Sequence, residues 1–383
     1  MLDYYLAPGV SRLEIFPASE PVFLTGVPVF LGYAARGPVN EPILLGLWPQ
    51  FGAIYGEPLR DGYLGYAVRG FFENGGPLCY VIRLDDTLDR QAALQRGLAA
   101  ARPLDAADLV CAPDLMRPAR DGLPPDAAAV AAMQRAILDH CAGLGDRFAI
   151  LDARPTADIG EVLQQRAALD SSYGALYHPW VVVPGCGTPT ASAPPCGHVA
   201  GIFARCDQRI GVHKAPANEV VEGVLDLQAE PDYDAQLLLL ARGVNHLRTL
   251  TGRGLRLWGA RTLSAHPTWR SINVRRLFLT IGRWLECFMR GLAFEQNDRR
   301  LWARILRELS AYLDGLFHRG ALVGSTPNQA YYIKCDSETN PPDVVRAGMV
   351  VAEVGLAPVA PGEFVVVRMT HGASGASARS CDR

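Results

Sequence analysis

Between about residue 105 and residue 185 the chain alternates short apolar runs with helical stretches, and this alternation constrains the fold more than any other feature. Residues 109–112 are a short apolar strand. Asp126 then caps a helix in which Val130, Met133, Ile137 and Cys141 recur at helical spacing, with Gly143 as its stop. Residues 148–151 form the next strand. Asp158 and Glu161 open a second helix in the manner of a capping box, with Ile159, Val162, Leu163 and Leu169 on one face. A third strand is expected over 177–183. A βαβαβ succession implies a parallel sheet joined by right-handed crossovers. Many enzymes and many non-enzymes share that plan, so it assigns no chemistry by itself.

The flanking regions follow other rules. At the N-terminus Pro8-Gly9 makes a turn, and Leu13 and Ile15 then alternate with Arg12 and Glu14, a period-two strand signal from Val10 onward. So short a strand needs an existing sheet edge to join. Further strands are expected over 27–33 and 79–84, with a helix over 63–74 stopped by Asn74-Gly75-Gly76. Residues 184–218 read as loop, punctuated by Pro184-Gly185 and Pro194-Pro195. Asp232 precedes a helix whose residues 237–240 are expected to pack inward. The longest helical signals lie at 272–292 and 298–319. In the second, Leu301, Trp302, Ile305, Leu309, Tyr312, Leu313 and Leu316 form one stripe between a cap at Asp298 and a stop at Gly320. Its other face carries Arg299, Arg300, Arg304, Arg307 and Glu308. Strands are expected at 331–335, 350–354 and 364–369. The last residues, 371–383, are so rich in Gly and Ser that a disordered tail is expected.

Composition removes several function classes. The chain carries 37 basic and 39 acidic residues, which does not suit a general nucleic-acid binder. No apolar run reaches the roughly 18 residues of a membrane span, and the N-terminus has no signal-peptide pattern. Lysine occurs only at Lys214 and Lys334, so arginine, whose planar fork suits carboxylate pairing, supplies nearly all the positive charge. Nine scattered cysteines fit a reducing compartment. Cys186, Cys196 and Cys206 stand near His178, His198 and His213, but close-paired zinc spacing is absent, so no metal is expected. Asp336, Glu338 and Asp343 complete no calcium loop. No phosphate loop and no nucleophile elbow is present. Asp152, His178 and Ser192 offer the residue types of a hydrolytic triad without surroundings that support those roles. No cofactor is expected.

Two distant blocks carry a resemblance. Near the N-terminus stand TGVPVFLGYAARGPVNEP (25–42), YAVRGFFENGG (66–76) and CYVIR (79–83). Towards the C-terminus come LWGARTLS (257–264), WRSINVRRLF (269–278), YIKCDSETN (332–340) and PVAPGEFVVVR (358–368). In this order they resemble the tail sheath proteins of contractile phage tails and phage-tail-like contractile injection systems. GVHKAPANE (211–219) resembles a recurring sheath segment, and Cys196 before GHVAG stands where sheath sequences commonly carry a small residue.

The resemblance implies an α/β (α+β overall) fold. Residues 1–24 would be a linker arm. Residues 25–85 plus 219–370 would be a discontinuous inner domain near the tube, and 86–218 an inserted α/β domain, subtilisin-like in outline. It further implies a structural, non-enzymatic subunit that polymerises helically around an inner tube. Its partners would be other copies of itself, the tube protein, baseplate and terminal cap proteins, and sheath paralogues, with neither nucleic acid nor membrane insertion. Assembly in the bacterial cytoplasm is implied, as part of a phage tail or tail-like particle.

Arms exchanged between subunits would map to Val10, Arg12, Leu13, Glu14 and Ile15, and to Phe364, Val365, Val366, Val367, Arg368 and Met369. Reversible tube contacts would draw on exposed arginines, with Arg275, Arg276, Arg299, Arg300, Arg304 and Arg307 as candidates. The alternatives are an α/β hydrolase or metal enzyme built on the middle region, and a non-contractile tube or baseplate component.

Overall fold

The computed structural model describes residues 23–118, 126–359, 365–372 and 375–381. Its centre is a nine-stranded sheet built from β1 (Pro28–Gly32), β2 (Pro42–Leu45), β3 (Cys79–Arg83), β4 (Leu109–Cys111), β5 (Phe148–Asp152), β6 (Gly174–His178), β9 (Glu219–Val220), β11 (Val244–Leu250) and β12 (Gly254–Trp258). The spatial order is β2-β3-β1-β4-β5-β6-β11-β12-β9. The run from β3 to β11 is parallel, and β2, β12 and β9 close the two flanks antiparallel. Parallel strands buried on both faces should be apolar throughout. Accordingly, every residue of β1 and β5 is buried.

Helices cover both faces. One apolar core packs α1 (Trp48–Tyr55), α2 (Leu64–Glu73) and α6 (Cys196–Arg209) on one side. The other packs α3 (Arg90–Ala101), α4 (Ala127–Leu144), α5 (Ile159–Ala167) and α7 (Tyr233–Ala241) on the opposite side. A small sheet, in the order β10 (Asp226–Leu227), β7 (Val181–Pro184), β8 (Thr190–Ala193), extends the first side.

A third core lies in the C-terminal part. It is built by α8 (Ile272–Arg290), α9 (Arg299–His318), β13 (Tyr331–Lys334) and β14 (Val350–Leu356). Helix α9 buries Leu301, Ile305, Leu309, Leu313 and Leu316, and the Asp298 carboxylate accepts from the Arg300 and Leu301 amides at its start. Beyond β14, β15 (Val365–Gly372) and β16 (Gly375–Cys381) complete a sheet ordered β13-β14-β15-β16.

Several expectations are corrected by this arrangement. The boundary at 85/86 does not separate two units, because β1 pairs with β3 on one side and β4 on the other. The strands up to β12 form one body and most of the chain from α8 onward another, with α8 between them: its Ile272 and Leu279 pack into the first core and the rest of its apolar face into the third. The tail 371–383 is not wholly without structure, since β15 runs to Gly372 and β16 pairs with it. Composition measures side-chain burial, and a Gly/Ser-rich strand can be held by backbone hydrogen bonds alone. Residues 177–183 are not one strand but the end of β6 and the start of β7, in different sheets. Of residues 237–240 only Leu239 is fully buried, while Leu237 and Leu238 are exposed.

The loop reading of 184–218 missed α6, a buried fourteen-residue helix. Its glycines explain its place. A Cβ on Gly197 would stand 2.1 Å from the Ala67 carbonyl oxygen, and one on Gly201 would stand 2.5 Å from that of Phe71. A Cβ on Gly70 of α2 would meet the His198 ring at 2.5 Å. The GHVAG segment therefore lets α2 and α6 cross with their backbones nearly in contact.

Candidate assembly surfaces and the joint between the two bodies

In open α/β sheets ligands bind at the carboxyl ends of the strands, beside helix N-termini. Here the chain fills those positions with its own carboxylates. Asp114, just beyond β4, accepts from the Tyr33 amide at 2.6 Å and the Tyr63 amide at 2.5 Å, at the entry to α2. Asp152, the last residue of β5, accepts from the Cys196 amide at 2.8 Å and so caps α6 from 44 residues away. Both are buried, and burial pushes their carboxyls up, Asp114 to about 6 and Asp152 to about 7.

The structure does not assemble a triad. Asp152 follows Ile150 on the face of the first core, whereas His178 follows Leu176 on the face of the second, so the two side chains lie on opposite sides of the sheet. His178 pairs in register with His246 of β11. Burial pushes both imidazoles down to about 4, with His246 adding to the effect on His178. Ser192 sits on β8 opposite Val182. Among the described residues no group of three or more His, Cys, Asp or Glu side chains could hold a metal ion. No helix among them is long and apolar enough to cross a membrane. Asp336 makes an Asx-type turn, accepting from the Glu338 and Thr339 amides.

Three of the arginines of α8, Arg275, Arg276 and Arg283, are buried. Arg275 and Arg276, expected as tube contacts, are 4 % and 3 % exposed, which corrects that assignment. Arg275 lies over the Tyr173 and Trp269 rings at 4.0 and 4.6 Å. Arg276 donates through Nη1 and Nη2 to the two oxygens of Asp207 at 2.9 and 2.6 Å, and through Nη2 to Asp108 at 3.1 Å. Asp108 also accepts from the Gly26 and Val27 amides at 3.0 and 2.6 Å, tying down the start of β1. Burial alone would lower the guanidinium's pKa, but Asp207 and Asp108 raise it, so Arg276 stays a cation.

Arg283 and Arg290 follow at intervals of seven, two helical turns, and so lie on the same face of α8. Arg283 donates to the carbonyls of Asp105 at 2.9 Å, Ala106 at 3.1 Å and Leu24 at 3.4 Å, with the Phe23 ring 5.0 Å from its guanidinium. Arg290 donates to the Asp105 carboxylate at 2.7 Å. This ladder joins the C-terminal body to the amino end of the large sheet and to the root of the N-terminal segment. Sequence reasoning missed it, although the seven-residue interval was a readable signal.

Arg299, Arg300, Arg304 and Arg307 of α9 are exposed, Arg304 pairing with Glu295 and Arg307 with Glu308. The N-terminal arm residues Val10, Arg12, Leu13, Glu14 and Ile15 lie outside the described residues, as does Phe364. Val365–Met369 belong to β15, which is held between β14 and β16 of its own chain. They were expected as part of an intersubunit arm; among the described residues the open edges of this sheet are β13 and β16.

Comparisons with known proteins agree with this architecture. Residues 105–263 match the model of the phage tail sheath protein central domain, and residues 264–371 match that of the phage tail sheath C-terminal domain. A tail sheath protein of Salmonella phage ViI is 27 % identical over 43 % of this chain, which spans only 26 % of that protein's length. The helical sheath of the anti-feeding prophage in its contracted state aligns with a TM-score of 0.74 at 28 % identity, over 93 % of this chain and 97 % of that one. A chain in the contracted baseplate of the same particle gives 0.76 at 27 % identity, over 94 % and 97 %. The break between the two matched domains, at 263/264, falls where the large sheet ends and α8 begins, and on both sides of it the chain belongs to the phage tail sheath family.

Proposed function

We propose that this chain is the sheath subunit of a contractile, phage-tail-like particle. It polymerises helically around an inner tube and rearranges into a shorter, wider array that drives the tube through a target envelope. The observation that carries the reading is the likeness, at 28 % identity, to 97 % of a chain from a contracted helical sheath. The stored energy is the difference in packing between two arrangements of the same subunit. Its partners are other copies, the tube, the baseplate and the cap, and assembly takes place in the bacterial cytoplasm. The subunit is not an enzyme, a reading supported by Asp114 and Asp152 occupying the helix N-termini where a ligand would bind.

Joints that survive such a rearrangement are best made by strand addition, because backbone hydrogen bonds link chains without fixing the orientation of their domains. The period-two segment from Val10 to Ile15 would add to an open edge of a neighbour's four-stranded sheet, at β13 or β16. Tube contact would fall to the exposed arginines Arg299, Arg300, Arg304 and Arg307. Replacing Ile15 with proline removes a ladder donor and fixes φ. The Ile15→Pro subunit should fold with unchanged circular dichroism yet form no cylinders in negative-stain micrographs. Normal contractile cylinders from that variant would remove the linking role from this segment.

A further inference from the structure

A cavity of 410 Å³ opens between the end of α7, the end of α5 and the segment leading to α8. Arg166, Arg242, Arg261 and Arg270 line it with Thr262 and Ser264, and no acidic side chain lines it. None of the four arginines forms an ion pair with a described residue. Arg166 donates to the carbonyls of Leu169 at 2.6 Å and Leu263 at 3.0 Å, while its buried Nε has no partner. Its guanidinium lies against Gly243, where φ is +78° and an added Cβ would stand 3.4 Å from Nη2. Asp170 is close enough to act on Arg166 electrostatically, without pairing. Arg166 and Arg242 also border an adjoining cavity of 480 Å³ whose other walls include Leu163 and Ala167. The two together make a groove with one basic half and one more apolar half.

Four like charges around one concavity repel one another until an anion enters. The rest of the chain supplies such anions, because its net charge is −2 and exposed acids such as Asp139, Asp234 and Asp343 stand elsewhere with no ion pair to a described residue. The apolar half suits a polypeptide segment better than a simple ion. A groove of one sign cannot face its own two-fold mate. Contact between copies through it must therefore join two different patches, the head-to-tail geometry that propagates into rings and helices.

We propose that this groove is an intersubunit site in which the four arginines receive a carboxylate-bearing, partly apolar segment of a second copy of the chain. The inference rests on the sheath reading for the kind of occupant. The test compares wild type with Arg242→Glu/Arg261→Glu and with Arg242→Lys/Arg261→Lys. Self-association is read by sedimentation velocity, and cylinders by negative stain.

Both variants should melt within a few degrees of wild type, since Arg242 is exposed and neither side chain is bonded to a described residue. Charge reversal should raise the concentration needed for association by about tenfold or more, and the lysine variant by much less. Wild-type association should also weaken as salt rises. Association unchanged by charge reversal would overturn the proposal. So would wild-type melting raised by millimolar inorganic phosphate with association unaffected by either variant, which would mark a small-anion site instead. Charge-dependent association without cylinders would sink the sheath reading and leave this one standing.

Discussion

Helices α8 and α9 are of similar length, and each carries a row of arginines, yet the two rows have opposite fates. On α8, Arg276 is 3 % exposed and fully paired. On α9, Arg299, Arg300, Arg304 and Arg307 face solvent. The difference comes from what each helix meets. Arg276 reaches Asp207 at the end of α6 and Asp108 at the foot of β4, two acids remote in sequence that the fold brings together. Among the described residues no such acids converge on the outer face of α9, where Glu295 and Glu308 pair locally. Arginine in a helix therefore says little about a surface until its carboxylates are located.

The comparison breaks first at Arg276. Arg276→Ala would leave two buried carboxylates without their cation, and denaturant unfolding should show a loss of about 3–5 kcal/mol. A loss below about 1 kcal/mol would mean that this joint does not hold the bodies together.

Asp152 sharpens the contrast as a buried acid with no arginine. Its folded pKa of about 7 lies above that of an unfolded aspartate, near 3.9. The stability it contributes is thus full below about pH 4 and lost as the pH rises towards 7. Asp152→Asn keeps the acceptor for the Cys196 amide and removes that dependence. The variant should gain on wild type steadily from pH 4 to pH 7 in thermal unfolding, and a constant difference across that range would contradict the assignment.

Arg283→Ala removes hydrogen bonds to three carbonyls and should cost about 1.5–3 kcal/mol. It should also speed protease cleavage before Leu24. Arg290→Ala, whose pair with Asp105 is more than half exposed, should cost less than about 1 kcal/mol and become neutral at high salt. Arg304→Ala and Arg307→Ala should change monomer stability by less than about 0.5 kcal/mol, with any effect confined to assembly around the tube. A large stability loss there would place α9's arginines in the same class as those of α8.

Much of the fold was legible because its signals were local. The Asp298 cap and the stripe from Leu301 to Leu316 define α9 within one helix, and Asp126 and Asp158 do the same for α4 and α5. The motifs quoted from both ends of the chain led to the sheath family. Helix α6 was illegible because Pro184-Gly185 and Pro194-Pro195 read as breakers. Its cap is Asp152, supplied from another strand, and its glycines answer to Ala67 and Phe71. The joint was misread for the same kind of reason: Arg276 was judged by its neighbours in sequence.

The sequence by itself determined which segments are helix and strand wherever periodicity and caps lie within a dozen residues, and which family the chain resembles. Only the tertiary structure decided that the N-terminal strands share one sheet with the βαβ region, that Arg275 and Arg276 are interior, and that Asp114 and Asp152 fill the strand ends. Periodicity reports which face of an element is apolar, whereas the state of a charge depends on partners 44 to 168 residues away in the chain.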